Sequence, residues 1–147
     1  MSKISIKIVD HSGEVLAALK ERTKVALEAV GAQCEKYAKK ECPVDTGFLR
    51  NSITYAVSGG GAAVGQYKAN KPRSGSKKVM TGSYQGVVGK GADNAVYIGS
   101  NVKYAVTVEY GNASHKVGKK HFLRDAAANH TDHYKAIIEA CLKASQT

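Results

Sequence analysis

From Leu16 to Ala38, residues suited to packing return every three or four positions: Leu16, Leu19, Thr23, Ala26, Leu27, Val30, Cys34, Tyr37 and Ala38. This spacing keeps them on one side of a 3.6-residue turn and predicts a single long helix with one buried stripe. Lys20, Glu21, Lys24, Glu28, Glu35, Lys36, Lys39 and Lys40 fall mostly off the stripe and read as its solvated face. Ser12 is the predicted N-cap, with Glu14 in the first turn where the helix dipole favours a negative charge. Pro43 has no amide hydrogen and clashes with a preceding helical turn, so the helix should stop at about Glu41 or Cys42. Ahead of the helix, Ile4, Ile6 and Ile8 alternate with Ser5 and Lys7 and predict an opening strand that breaks at Asp10 to Gly13.

Beyond Pro43 the period changes. Asp45, Thr46 and Gly47 supply turn chemistry: short side chains that bond nearby amides, then a residue that tolerates a positive φ. Ile53, Tyr55 and Val57 then alternate with Ser52, Thr54 and Ala56, as in a half-buried strand. After Ser58-Gly59-Gly60-Gly61, the stretch from Gly65 to Ser83 is rich in Gly, Lys and Ser and reads as a long loop or flexible hairpin. Tyr84 to Val88 and Ala95 to Ile98 predict a second hairpin around Gly89 to Asn94. Tyr104 to Gly111 fits either a strand or a helical turn, and a short helix leading to an extended tip is the preferred reading. Asn112 to Lys120 reads as a loop. A closing helix from about Phe122 to Lys143 should carry Leu123, Ala127, Tyr134, Ile137, Ile138, Cys141 and Leu142 on one side. The expected fold is α+β: an antiparallel sheet with one long N-terminal helix and one C-terminal helix packed on one face, plus a long basic loop at about residues 65–83.

The chain has 147 residues, 43% of them hydrophobic, which suits one domain spanning 1–147 with a core of its own. Nothing near Met1 resembles a signal peptide, and no apolar run approaches a membrane span, so no membrane partner is expected. Cys34, Cys42 and Cys141 are an odd count without a close pair, which argues against a disulfide framework and a zinc knuckle. Cys34 and Cys141 lie on apolar helix faces and read as small buried hydrophobes.

Charge adds a feature that periodicity does not show. The net charge is +10, and no acidic residue occurs between Asp45 and Asp93, where Arg50, Lys68, Lys71, Arg73, Lys77, Lys78 and Lys90 all fall. Such a field attracts phosphate or an acidic protein surface. Spaced cations at Lys68, Lys71, Arg73, Lys77 and Lys78 could touch DNA backbone or a neighbouring protein without reading base sequence. The blander reading is a charged loop that only aids solubility. Tyr67 and Tyr84 flank the interval but are not interleaved with its charges, so a single-strand stacking platform is not indicated.

Catalytic and cofactor patterns fail on inspection. Gly86-Val87-Val88-Gly89-Lys90-Gly91 lacks both the glycine spacing and the Ser or Thr of a phosphate-binding loop. His115, His121, His130 and His133 crowd the last third without a Cys or carboxylate at metal-site spacing, and they read as solvated or partly packed. Ser52 lacks a nucleophile-elbow context. No cofactor, metal or catalytic residue is expected.

Pro43-Val44-Asp45-Thr46-Gly47-Phe48-Leu49-Arg50-Asn51-Ser52-Ile53, then Tyr104-Ala105 with Val108-Glu109-Tyr110-Gly111, then Phe122-Leu123-Arg124-Asp125-Ala126 form an ordered set of motifs. Together they resemble a family of small tail proteins of long-tailed bacteriophages, the tail-completion or head-tail joining (minor tail component) proteins. The resemblance runs from about Val15 to Leu142. It implies a non-catalytic virion subunit, assembled in the host cytoplasm and working as a ring, sixfold by expectation, between capsid and tail. Its neighbours would be other neck proteins and tail-tube or terminator proteins, with DNA passing through the lumen. The Gly/Lys-rich insertion and the histidines before Phe122 depart from the family pattern. Pro43, Asp45, Thr46, Gly47, Leu49, Arg50, Tyr104, Glu109, Gly111, Phe122, Leu123 and Arg124 would then mark fold and interface. Leu49, Phe122 and Leu123 should be core or subunit contacts. Arg50, Glu109 and Arg124 are candidates for ion pairs within or between subunits, because charges in apolar surroundings need partners.

Overall fold

The computed structural model describes residues 7–59, 64–84, 93–115 and 118–144. Its first element is a 30-residue helix, α1 (Ser12–Glu41), ended where Pro43 requires, with the Cys42 N–H donating to the Ala38 carbonyl at 2.9 Å. The helix begins one residue earlier than expected. His11 is the boundary residue, and the Asp10 carboxylate accepts the Ser12 N–H at 2.8 Å. The bonds from Ser12 also hold the Asp10 carboxyl below its usual range. Ser12, the expected N-cap, is instead the first residue of the helix. Ile4 and Ile6 of the expected opening strand lie outside the described residues; Ile8 is 87% exposed in irregular backbone.

A short helix, α2 (Phe48–Ser52), follows the corner and leads into β1 (Thr54–Val57). The sequence reading passed over α2, because a helix this short shows barely more than one turn of periodicity. The expected alternation also fails in β1, where Ala56 and Val57 are both buried. Next come β2 (Gly65–Lys68), β3 (Thr81–Tyr84) and β4 (Val96–Gly99). They form two antiparallel pairs rather than one sheet: β1 with β4, Thr54 facing Gly99, and β2 with β3, Gly65 facing Tyr84. The ends of the basic interval are therefore strands, joined by residues 69–80. Tyr84 pairs backwards with Gly65, and the turn expected around residues 89–94 lies mostly outside the described residues.

A helix does form over the ambiguous stretch, α3 (Ala105–Tyr110), closed by Gly111 at φ +77°. The closing helix is two helices, α4 (Phe122–Ala128) and α5 (Thr131–Lys143). Asn129, His130 and Thr131 are weak helix formers at the break. The break lets His130 turn back and stack on Tyr37 of α1, with ring centroids 3.5 Å apart. His133 completes the clasp: its Nδ1 lies 2.7 Å from the Tyr37 hydroxyl, while His130 Nε2 lies 3.3 Å from Glu41 Oε1. These histidines are partly packed side chains. Among the described residues, no group of three or more His, Cys, Asp or Glu could hold a metal ion.

α1 is the spine on which β1, β4, α4 and α5 all pack. The core gathers Val30, Cys34, Ala38 and Cys42 of that spine with Phe48, Leu49, Ile53, Tyr67, Val102, Ala105, Phe122, Ala126 and Tyr134. Burial pushes the Cys42 thiol up to about 11 and raises that of Cys34, so both are inert hydrophobes at neutral pH. Burial likewise raises the Tyr134 phenol, which donates to the Ala126 carbonyl and ties α5 to α4. The buried stripe of α1 starts only at Ala26. Every residue from Lys7 to Arg22 is exposed, Leu16 and Leu19 included.

Gly31 of α1 lets the β1 strand approach. A Cβ there would stand 2.2 Å from the Tyr55 ring, whereas one at Gly13 would meet nothing within 4 Å. Alanine is worth up to about 1 kcal/mol over glycine in a helix. Gly13→Ala should therefore raise stability by about 0.5 kcal/mol, while Gly31→Ala should lower it by about 1–3 kcal/mol through overpacking. Thermal melts of the two variants should move in opposite directions, and a gain in both would mean that Tyr55 yields freely.

Candidate interaction surface

The corner after α1 is held by a left-handed Gly47 at φ +83°, beside which any Cβ would lie 2.7 Å from the Asn70 amide. Thr46 is buried and its Oγ1 accepts the Phe48 N–H at 3.3 Å, as turn chemistry requires. Pro43 and Asp45 are exposed. Among the described residues, the Asp45 carboxylate makes no hydrogen bond of the expected kind. The Thr46 carbonyl accepts the Asn70 N–H at 2.8 Å. From α2, the Asn51 amide donates to the Lys68 carbonyl at 2.7 Å and to Asn70 Oδ1 at 2.9 Å. Tyr84 returns the link by donating its hydroxyl to the Asn51 carbonyl at 2.7 Å. The corner therefore clamps both strands at the root of the basic hairpin, with Tyr67 packed between Phe48 and Tyr84 at 5.1 Å from each.

The same corner forms one wall of a groove of about 470 Å³, whose lining includes Val44, Asp45, Leu49, Arg73, Met80 and Tyr104. Val108 of α3 also lines it, so the first two sequence motifs meet here. Leu49 is buried in the floor, while Val44, Met80 and Tyr104 are 52%, 40% and 45% exposed. Partial burial raises the Tyr104 phenol, with Asp45 adding to the shift, so it remains a neutral hydroxyl at physiological pH. Arg73 is the member of the basic interval that reaches this lining.

The second and third motifs meet through Glu109. Its side chain is 4% exposed, and its two oxygens accept the Leu123 and Arg124 N–H groups at 2.9 and 3.0 Å. A carboxylate on α3 thus caps α4, where the free amides and the helix dipole both favour it. Backbone bonds from Lys120 to Val108 and from His121 to Glu109 run alongside. Among the described residues Glu109 binds amides rather than an arginine, and Arg124 pairs with Asp125 at 2.9 Å. Arg50 is half-buried and forms no ion pair among the described residues. Phe122 is fully buried and Leu123 half-buried, so the third motif feeds the core.

Lys68, Lys71, Arg73, Lys77 and Lys78 are all exposed, and none pairs with a carboxylate among the described residues. Sequence reasoning missed Met80 and the left-handed His121, at φ +39°. Val79 and Met80, a lone apolar pair in a polar interval, were the signal for the first. For His121 no pattern existed, since its conformation follows from delivering Phe122 to the core while its own N–H bonds Glu109.

Among the described residues, no helix is long and apolar enough to cross a membrane. No curated protein and no solved structure matches the chain. The family model described as "Bacteriophage HK97-gp10, putative tail-component" matches residues 7–111, which hold the corner, the basic hairpin and α3, the elements that build the groove. The chain belongs to this HK97-gp10-like family of bacteriophage tail components.

Proposed function

We propose that this tail component is a structural, non-catalytic subunit of the head-tail joint or tail terminus, assembling as a ring that completes the tail and connects it to the DNA-filled head. The observation that carries the reading is the groove beside the clamped hairpin. Two of the three family-like motifs build a partly apolar surface that the described residues leave exposed. Surfaces of that kind serve docking. Its partners would be further copies of the chain, sixfold by expectation, together with neck and tail-tube or terminator proteins.

A second reading has its own support in the unpaired cations at residues 68–78. Held at a fixed root, they could contact DNA phosphates without sequence preference. Electron microscopy of particles from a prophage lacking this gene, with the gene supplied in trans as control, separates the two. Filled heads apart from tails, or tails of uncontrolled length, are the expected result. Normal infectious particles would overturn the joint reading. Tight binding of the isolated subunit to random duplex, falling steeply with salt, would then favour the DNA reading.

A further inference from the structure

Among the described residues a second apolar surface lies exposed, far from the groove. Ile8, Val9, Val15, Leu16 and Leu19 are all exposed on the segment that leads into and opens α1. From Ile8 to Leu19 the only charged side chains besides His11 are Asp10 and Glu14, in a molecule of net charge +10. The arm itself is apolar and acidic, bracketed by the exposed Lys7 and Lys20, and Glu14 Oε2 lies 3.4 Å from His11 Nδ1. The groove is its complement: an apolar floor and lip, with Arg73 in the lining, exposed Lys71, Lys77 and Lys78 on the same loop, exposed Lys103 beside Tyr104, and Asp45 as the lining carboxylate.

The two surfaces cannot meet within one molecule. The groove begins at Pro43, directly after the C-terminal end of α1, whereas Leu16 sits near its start. At 1.5 Å per residue, a rigid helix holds them roughly 40 Å apart. An unbroken helix cannot fold back to close that distance.

We propose that the arm Ile8–Leu19 of one copy docks in the groove between the Pro43–Leu49 corner and α3 of a second copy. Leu16 and Leu19 then cover Val44, Met80 and Tyr104, while Asp10, ahead of the first turn, faces Lys71 and Arg73; Glu14 lies on the other side of the helix, beside His11. The contact joins two different patches, so it is head-to-tail and repeats from copy to copy until a ring closes. It rests on the reading of the chain as a self-assembling tail component and supplies the contact that reading requires.

A photoreactive side chain at Leu16 of the full-length protein provides the test. Irradiation at concentrations where sedimentation shows self-association should give inter-copy bonds to Val44, Met80 or Tyr104, located by mass spectrometry of the digest. Bonds from arm to arm, bonds to any other surface, or a chain that stays monomeric at every concentration would overturn the docking. Charge exchange adds an independent arm. Asp10→Lys should weaken self-association by about fivefold, as should Lys71→Glu with Arg73→Glu, and the three together should largely restore it. Lack of rescue overturns the proposal and leaves a role of those cations on DNA as the alternative. If deletion particles are tail-defective while the crosslinks map elsewhere, the docking fails and the joint reading stands.

Discussion

Glu109→Ala is expected to lower stability by about 3 kcal/mol, the combined loss of two charge-assisted hydrogen bonds to the first turn of α4. The carboxylate is buried and both oxygens are engaged, so no part of it is free to be replaced by water without cost. For a chain of this length the melting temperature should fall by roughly 6–12 °C. Glu109→Gln should lose about half as much, because one amide oxygen still accepts while the NH2 group faces a second donor. Glu109→Asp should behave more like alanine, since the shorter side chain withdraws from both amides. Calorimetry of the three variants checks the order. A melting temperature for Glu109→Ala within about 2 °C of wild type would mean that the α4 amides are satisfied without it.

The glutamate also shows where sequence reasoning stops. Val108-Glu109-Tyr110-Gly111 and Phe122-Leu123-Arg124 stand out as motifs in the sequence, and Glu109 is expected there in an ion pair. Among the described residues its partner is instead backbone, which has no signature in side-chain type. The end of α1 was legible for the opposite reason, because Pro43 and Gly47 act through their own covalent structure and need no neighbour to be known.

Periodicity located α1, left α3 open between strand and helix, and overstated what is buried. Leu16 and Leu19 obey the same spacing as Val30 and Cys34, yet β1, β4, α4 and α5 cover only the later part of the helix. A pattern reports which face is apolar and not what lies opposite. The strand pairing was hidden for a related cause: β1 finds β4 across a long separation, and β2 finds β3 around a loop of residues 69–80. The groove combines both difficulties, since Val44, Met80 and Tyr104 come from three separate stretches and acquire meaning only once the corner has clamped the hairpin root.

Phe122→Ala should have the largest effect of any single truncation, about 4 kcal/mol, equivalent to a fall of roughly 8–16 °C in melting temperature. Its ring is fully buried in the cluster that joins α1, α2, α3, α4 and α5, so removal leaves a cavity whose walls belong to separate elements and cannot all collapse inward. Leu123→Ala, next in sequence but half-buried, should cost about 1–2 kcal/mol. The motif implied core or subunit contact for both residues, and this pair of variants separates those roles. A core residue lowers the melting temperature of the isolated chain and impairs assembly only as far as it depletes folded protein, so function should recover on cooling. A contact residue leaves the melt unchanged and blocks assembly at every temperature. Phe122→Ala is expected to follow the first pattern. An unchanged melt with lost assembly would instead move the third motif from the core to the surface between subunits.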